Sequence, residues 1–100
     1  MSEQANNELH YDLPSKESLV YAAKLSIVED KPIMLDYWTA SLDKKVVIGV
    51  RESDEKILVK SEDEYTSTVT KFFKSKTEIM VVTENSIYIV SRDTPSRRIK

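Results

Sequence analysis

The feature that most constrains this chain is a succession of short apolar runs after residue 32, separated by only a few residues each. Runs rich in alternating or β-branched apolar residues are typical of strands, and short links join strands that lie side by side. Only one segment before them, from Leu19 to Val28, has apolar residues at helical spacing. Because no later helix is available as a crossover between parallel strands, the pattern predicts one helix followed by an antiparallel sheet.

The ends of the helix are indicated by local signals. Ser15 can accept a hydrogen bond from a free amide of the first turn, and Glu17 suits the positive end of the helix dipole. Pro32 disfavours helical geometry in the residue before it, so the helix is expected to end before that point.

Six segments are expected to be strands, and two pairs of them form hairpins. One hairpin spans 45–60 with Asp54 at its tip, and the other spans 78–91 with Asn85 in its turn. Residues 65–74 fit a strand better than a helix, although Val69, Phe72 and Phe73 also suit a helical face. The strands are expected at 33–38, 46–50, 57–59, 65–74, 78–83 and 86–91.

The predicted fold class is therefore α+β, mainly β: an N-terminal helix followed by a five- or six-stranded antiparallel meander, with closure into a small SH3-like or Sm-like barrel as one option. A chain of 100 residues has room for a single core. We expect a flexible arm over 1–10, one helix-plus-β domain over 11–91 and a loose basic tail over 92–100.

Composition argues against an enzyme and against a cofactor or metal. The chain has no cysteine, one histidine (His10) and one glycine (Gly49), so thiolate chemistry, a usual zinc site and a glycine-rich phosphate loop are excluded. Asp36 is read as a residue of a less buried strand face rather than as a buried acid. The absence of long apolar runs predicts no membrane span, and the lack of cysteine suits an intracellular, reducing compartment.

The preferred function is a protein–protein interaction or structural module, acting on a protein partner or by self-association. A meander leaves two open edges that can pair with another strand. Aromatic residues are enriched at contact centres. The expected partner-binding residues are Tyr37, Trp38, Tyr65, Phe73 and Tyr88.

The alternative function is nucleic-acid binding by a small barrel. Residues 1–69 carry eight Lys and Arg against fourteen Asp and Glu, whereas residues 70–100 carry seven against three, so the C-terminal part is basic. An overall pI of about 5.4 weighs against this function, because nucleic-acid modules are usually strongly basic. The candidate residues are Lys71, Lys74, Lys76, Arg92, Arg97, Arg98 and Lys100.

Two stretches also carry a resemblance. Residues 28–38 and 60–90, with the runs SEDEYTS and TENSIYIV, resemble small uncharacterised proteins of large DNA viruses of algae and amoebae. The resemblance implies a minor virion component, located in the host cytoplasm or in the virus particle, and it brings no catalytic residue.

Overall fold

The structure is a computed structural model and describes residues 12–99. Over this range the chain forms two helices and seven strands. In chain order they are α1 (Lys16–Glu29), β1 (Ile33–Met34), α2 (Trp38–Leu42), β2 (Val47–Val50), β3 (Lys56–Val59), β4 (Val69–Lys74), β5 (Glu78–Thr83), β6 (Ile87–Ser91) and β7 (Ser96–Arg98).

Helix α1 has the ends that the sequence predicted, and its capping groups explain them. The Ser18 amide donates to Ser15 Oγ at 3.2 Å, so Ser15 satisfies one of the free N–H groups of the first turn. At the other end Asp30 is left-handed (φ 56°) and its N–H donates to the Ser26 carbonyl. Ala22 and Leu25 are buried on the face that packs against the sheet.

The strands lie in two mixed sheets. The first has the order β1-β6-β5-β4, and the second has the order β3-β2-β7. The two predicted hairpins are confirmed: β5 pairs with β6, and β2 pairs with β3 around Asp54, whose φ is 73°. Residues 69–74 are confirmed as a strand, which pairs antiparallel with β5.

The prediction of an all-antiparallel meander is wrong. Strand β1 runs parallel to β6, with Ile33 opposite Ile87, and β2 runs parallel to β7, with Gly49 opposite Arg97. Two parallel strands must be joined by a long connection, but that connection need not be a helix. Here the segments between the paired strands, which include other strands, form it. The described strands form no closed barrel.

Two local predictions also fail. The strand expected over 33–38 ends at Met34, because the chain turns there and the Trp38 N–H donates to Leu35 O at 3.2 Å. The loose tail expected over 92–100 contains β7, whose flanking residues bond to β2. The Ile48 N–H donates to the Pro95 carbonyl, because the edge of β2 leaves backbone groups open for pairing.

The first sheet is the middle of three layers, and it is covered on both faces. Met80 and Val82 of β5 join the cluster under α1, whereas Ile79 and Val81 join the cluster shared with the second sheet. All six residues of β5 are buried, as expected for a strand with packing on both sides.

Candidate interaction surfaces

Two of the aromatic residues predicted to bind a partner lie in the core instead. Tyr37 is 5% exposed and Trp38 is 6% exposed. The Trp38 indole Nε1–H donates to the Asp12 carbonyl at 2.8 Å, so its polar atom is also satisfied. The structure therefore corrects the expectation that these two side chains lie on the surface.

Tyr88 is half-buried and packs with its edge against the Tyr37 ring, at 5.2 Å between centroids. Burial raises the pKa of Tyr37 to about 12, with further contributions from the neighbouring Tyr88 and Asp36. Burial likewise raises the pKa of Tyr88. Lys60 Nζ lies 4.7 Å above the Tyr37 ring. This pair is therefore held by packing and stays uncharged at neutral pH.

The remaining two, Tyr65 and Phe73, belong to different surfaces. Tyr65 is 56% exposed and bridges to Val59 at the edge of the second sheet. Phe73 is half-buried in the first sheet and meets Tyr21 of α1 edge to face, with ring centroids 5.5 Å apart. The structure thus does not bring the five predicted aromatic residues together into one site.

Helix α1 packs over β1, β6 and β5, and its side chains also reach β4 and the neighbouring Ser75 at three points. Ser18 Oγ and Ser75 Oγ are 2.9 Å apart at one end, the Tyr21 and Phe73 rings meet in the middle, and Lys71 Nζ lies 2.7 Å from Glu29 Oε2 at the other end. Alternate strand residues share a face, so Lys71, Phe73 and Ser75 all point towards the helix. These three contacts connect the helix to the last strand of the sheet.

The outer edge of β4 has no partner strand within residues 12–99. The Ser75 N–H donates to the Glu78 carbonyl at 2.8 Å. This bond determines which residues of β4 direct their backbone groups towards β5. Because this bonding alternates in an antiparallel pair, Phe73 bonds to β5, while Phe72 and Lys74 direct their N–H and C=O groups towards the open edge.

A groove of about 900 Å³ lies between α1 and β4 and is here called the α1–β4 groove. Three of its lining residues are lysines and one is a glutamate, so it favours an anionic occupant. Its apolar walls include Val20 and Tyr21, which are exposed. The lining residues are Lys16, Glu17, Ser18, Val20, Tyr21, Lys24, Phe72, Phe73, Lys74, Ser75 and Met80.

A buried carboxylate, Glu78, contacts Ser18 and Ser75 of this groove and has a structural role. It accepts hydrogen bonds from Ser18 Oγ at 2.6 Å, from Ser15 Oγ at 2.7 Å and from the Ser15 amide at 3.2 Å. Burial alone raises the pKa of Glu78, but the hydrogen bonds from Ser18 and Ser15 outweigh it, and the pKa is lowered from its usual value. A charged carboxylate with these partners anchors the helix N-terminus to β5.

A second groove, of about 750 Å³, covers the outer face of the second sheet. The register places Val47 opposite Val59 and Gly49 opposite Arg97, so these residues share that face. We call this surface the basic face, because five of its residues are cationic and one is acidic. It is lined by Lys44, Lys45, Val47, Arg51, Ile57, Val59, Lys60, Ser61, Glu62, Tyr65, Arg97 and Ile99.

The basic residues predicted from the C-terminal part of the chain divide between the two sheets. On the first sheet, Lys71 is paired with Glu29, and Arg92 donates to the Ser75 carbonyl. Lys74 and Lys76 are exposed in β4 and in the turn after it. These four residues therefore belong to the surroundings of the α1–β4 groove.

On the second sheet, Arg98 is engaged with Asp54 at 3.0 Å and with the Arg51 carbonyl at 2.9 Å. Arg97 lines the basic face, and Lys100 lies outside the described residues. Sequence reasoning missed the other cations of this face, because they belong to the part of the chain with a net negative charge. Those residues are Lys44, Lys45, Arg51 and Lys60.

Comparisons with protein-family models, with curated proteins and with solved structures found no match. Within residues 12–99, no group of three or more His, Asp or Glu side chains is placed to hold a metal ion. His10 lies outside the described residues. None of the helices described here is long and apolar enough to cross a membrane.

Proposed function

We propose that this protein is a non-enzymatic interaction module that receives an extended acidic segment of a protein partner along the outer edge of β4. The open edge of that strand carries the proposal, because Phe72 and Lys74 direct backbone groups away from the sheet. An extended segment can add to such an edge through main-chain hydrogen bonds, while its side chains determine specificity.

The charge around the edge favours an acidic partner. Lys16, Lys24 and Lys74 line the α1–β4 groove, and Glu17 is the one acidic residue in its lining. Two other carboxylates near the groove are already occupied: Glu29 pairs with Lys71, and Glu78 is bonded by serines. The three lysines form no ion pair with any residue from 12 to 99 and would therefore attract carboxylates of the incoming segment.

The groove walls also favour apolar residues at alternate positions of the partner. Val20 and Tyr21 are exposed on α1 beside the edge, and Phe73 supports Tyr21 from the strand. Successive side chains of an added strand point to opposite faces, so every second one would meet the helix. A segment in which acidic and apolar residues alternate would place its apolar residues against Val20 and Tyr21 and its carboxylates on the opposite face, where the alternation of β4 places Lys74.

The experiment measures fluorescence anisotropy of a labelled peptide of alternating Glu and Val, with a Lys–Val peptide as the charge control. Binding of the acidic peptide alone is expected. Lys74→Glu should weaken it about tenfold, because one attraction becomes a repulsion. Arg97→Glu makes the same change of charge on the basic face and should leave peptide binding unchanged.

Backbone pairing is tested with two further peptides, N-methylated at the odd or at the even positions. Each blocks one edge of the added strand, so one of the two should lose binding if the peptide pairs with β4. Equal binding of both methylated peptides, or equal effects of Lys74→Glu and Arg97→Glu, would contradict strand addition at this edge.

The resemblance to small proteins of large DNA viruses suggests a virus particle as one setting for such a module, as a minor virion component. The alternative of nucleic-acid binding by the C-terminal basic residues has less support, because those of them that the structure describes do not share one surface. The peptide experiment tests the module independently of its setting.

A further inference from the structure

We infer that the basic face of the second sheet is a separate binding site for single-stranded nucleic acid. Four of its cationic side chains, Lys44, Lys45, Arg51 and Arg97, form no ion pair with any residue from 12 to 99. The fifth, Lys60, pairs with Glu64 at 3.7 Å. The four unpaired side chains provide charge for a chain of phosphates.

The floor between these cations is apolar and closely packed. A Cβ placed on Gly49 would lie 2.7 Å from Ile99 Cδ1 and 3.1 Å from Val59 Cγ2, so these two side chains cover the glycine. Val47 lies on the same face, opposite Val59. Such a floor offers aliphatic contact to the flat faces of bases.

Tyr65 adds an aromatic ring to this groove. Tyr65 is 56% exposed. Its neighbour Thr66 is buried, and Thr66 Oγ1 accepts a hydrogen bond from the Leu58 N–H at 3.0 Å. The backbone under Tyr65 is thus held in place while its ring remains accessible. Exposed aromatic rings beside cationic side chains are the usual elements of single-strand recognition.

The geometry favours a nucleic acid over a peptide strand on this surface. The groove lies over the face of the sheet, and β2 at its centre is already paired with β3 on one side and with β7 on the other. No backbone group of β2 remains for adding a strand. An oligonucleotide needs no open backbone group, because its phosphates and bases bind to side chains.

The test uses fluorescence anisotropy of a labelled oligothymidine of about 12 nucleotides, within the range of single-strand site sizes. The intact protein should bind the oligonucleotide. A plot of the logarithm of the affinity against the logarithm of the salt concentration should have a slope of about −2 to −3, as expected for up to four phosphate contacts. Circular dichroism should show that every variant is folded.

Arg97→Glu is expected to weaken oligonucleotide binding at least tenfold, whereas Lys74→Glu, the same change of charge beside β4, should alter it less than twofold. Tyr65→Ala should weaken binding and Tyr65→Phe should retain it, because the ring rather than the hydroxyl stacks on a base. Glu62→Gln removes the acidic residue of the groove lining and should strengthen binding. Arg97→Gln is the milder variant if the reversal impairs folding.

Absence of binding at low salt would overturn the inference. So would equal losses in Arg97→Glu and Lys74→Glu, which would indicate non-specific attraction, or displacement of the oligonucleotide by the acidic peptide. Because the two surfaces are tested by reciprocal variants, failure here is distinguishable from failure of the proposed peptide site.

Discussion

Phe72 and Phe73 are consecutive in β4, yet their rings belong to different hydrophobic clusters. Phe73 packs with the cluster of Ala22 and Met80 under α1, whereas Phe72 packs with the cluster of Ile48 and Val81 between the sheets. Successive side chains of a strand point to opposite faces, so this pair anchors β4 to both neighbouring layers. Both rings are half-buried.

The two phenylalanines should therefore contribute independently to stability. Phe72→Ala and Phe73→Ala are each expected to lower the free energy of unfolding by about 2 kcal/mol, less than for fully buried rings. Their effects should add within about 0.5 kcal/mol, since they share no cluster. Urea unfolding of the single and double variants measures this. A coupling above about 1 kcal/mol would contradict separate packing.

Glu78 should make stability depend on pH in the acidic range. Its pKa is lower in the folded protein than in the free residue, so its contribution is fully present above the usual glutamate pKa. The contribution is lost as pH falls through the lower, folded value. Glu78→Gln is expected to cost about 1–3 kcal/mol at pH 7 and to reduce the acid dependence seen in thermal unfolding.

A second variant checks the origin of that effect. Ser18→Ala removes the donor at 2.6 Å, so the pKa of Glu78 in the folded protein should rise towards its usual value and the loss of stability in acid should be smaller than in the unchanged protein. Part of the acid dependence should survive in Glu78→Gln, because hydrogen bonding to Lys71 lowers the pKa of Glu29 as well. An unchanged acid profile in both variants would rule out the anchoring role of Glu78.

Gly49 should tolerate a methyl group better when Ile99 is shortened. Gly49→Ala places a Cβ 2.7 Å from Ile99 Cδ1, and we expect a loss of no more than about 1 kcal/mol, because Cδ1 is the end of a flexible side chain that can move aside. Ile99→Val removes that atom, so Gly49→Ala should cost less in the Ile99→Val background. The difference is read from a double-mutant cycle by chemical denaturation. Equal costs in both backgrounds would show that Ile99 does not cover the glycine.

Trp38 is the one tryptophan of the chain and should report on the core rather than on ligands. Its emission is expected at short wavelength, with weak quenching by iodide, and should shift to longer wavelength only on unfolding. Adding the acidic peptide or the oligonucleotide should leave the spectrum unchanged, because the indole is buried and bonded to Asp12. A shift on binding would restore Trp38 as a contact residue.

The elements that could be predicted from sequence are those determined by nearby residues. Ser15 caps the helix that follows it, and Asp54 turns the hairpin between β2 and β3. The parallel pairs were missed because nothing near Ile33 specifies Ile87, and nothing near Gly49 specifies Arg97. These partners are selected by packing of the whole chain.

The candidate surfaces were predicted only in part for the same reason. Tyr65 and Arg97 were both named from sequence, but for two different functions, and the structure places them in one groove. Lys44, Lys45 and Arg51 went unnoticed because charge was counted along the chain, whereas the groove collects cations from separate segments. Trp38 was assigned to the surface because alternation was extended four residues beyond the end of β1.

The parallel pairing of β7 with β2 has a consequence for biosynthesis. During translation β2 and β3 emerge long before residues 96–98. The backbone groups on one edge of β2 therefore stay unpaired until those residues are available. Contacts between such distant segments also slow folding, because a large loop must close before they form. A nascent chain of this protein is therefore most exposed to aggregation just before residues 96–98 leave the ribosome.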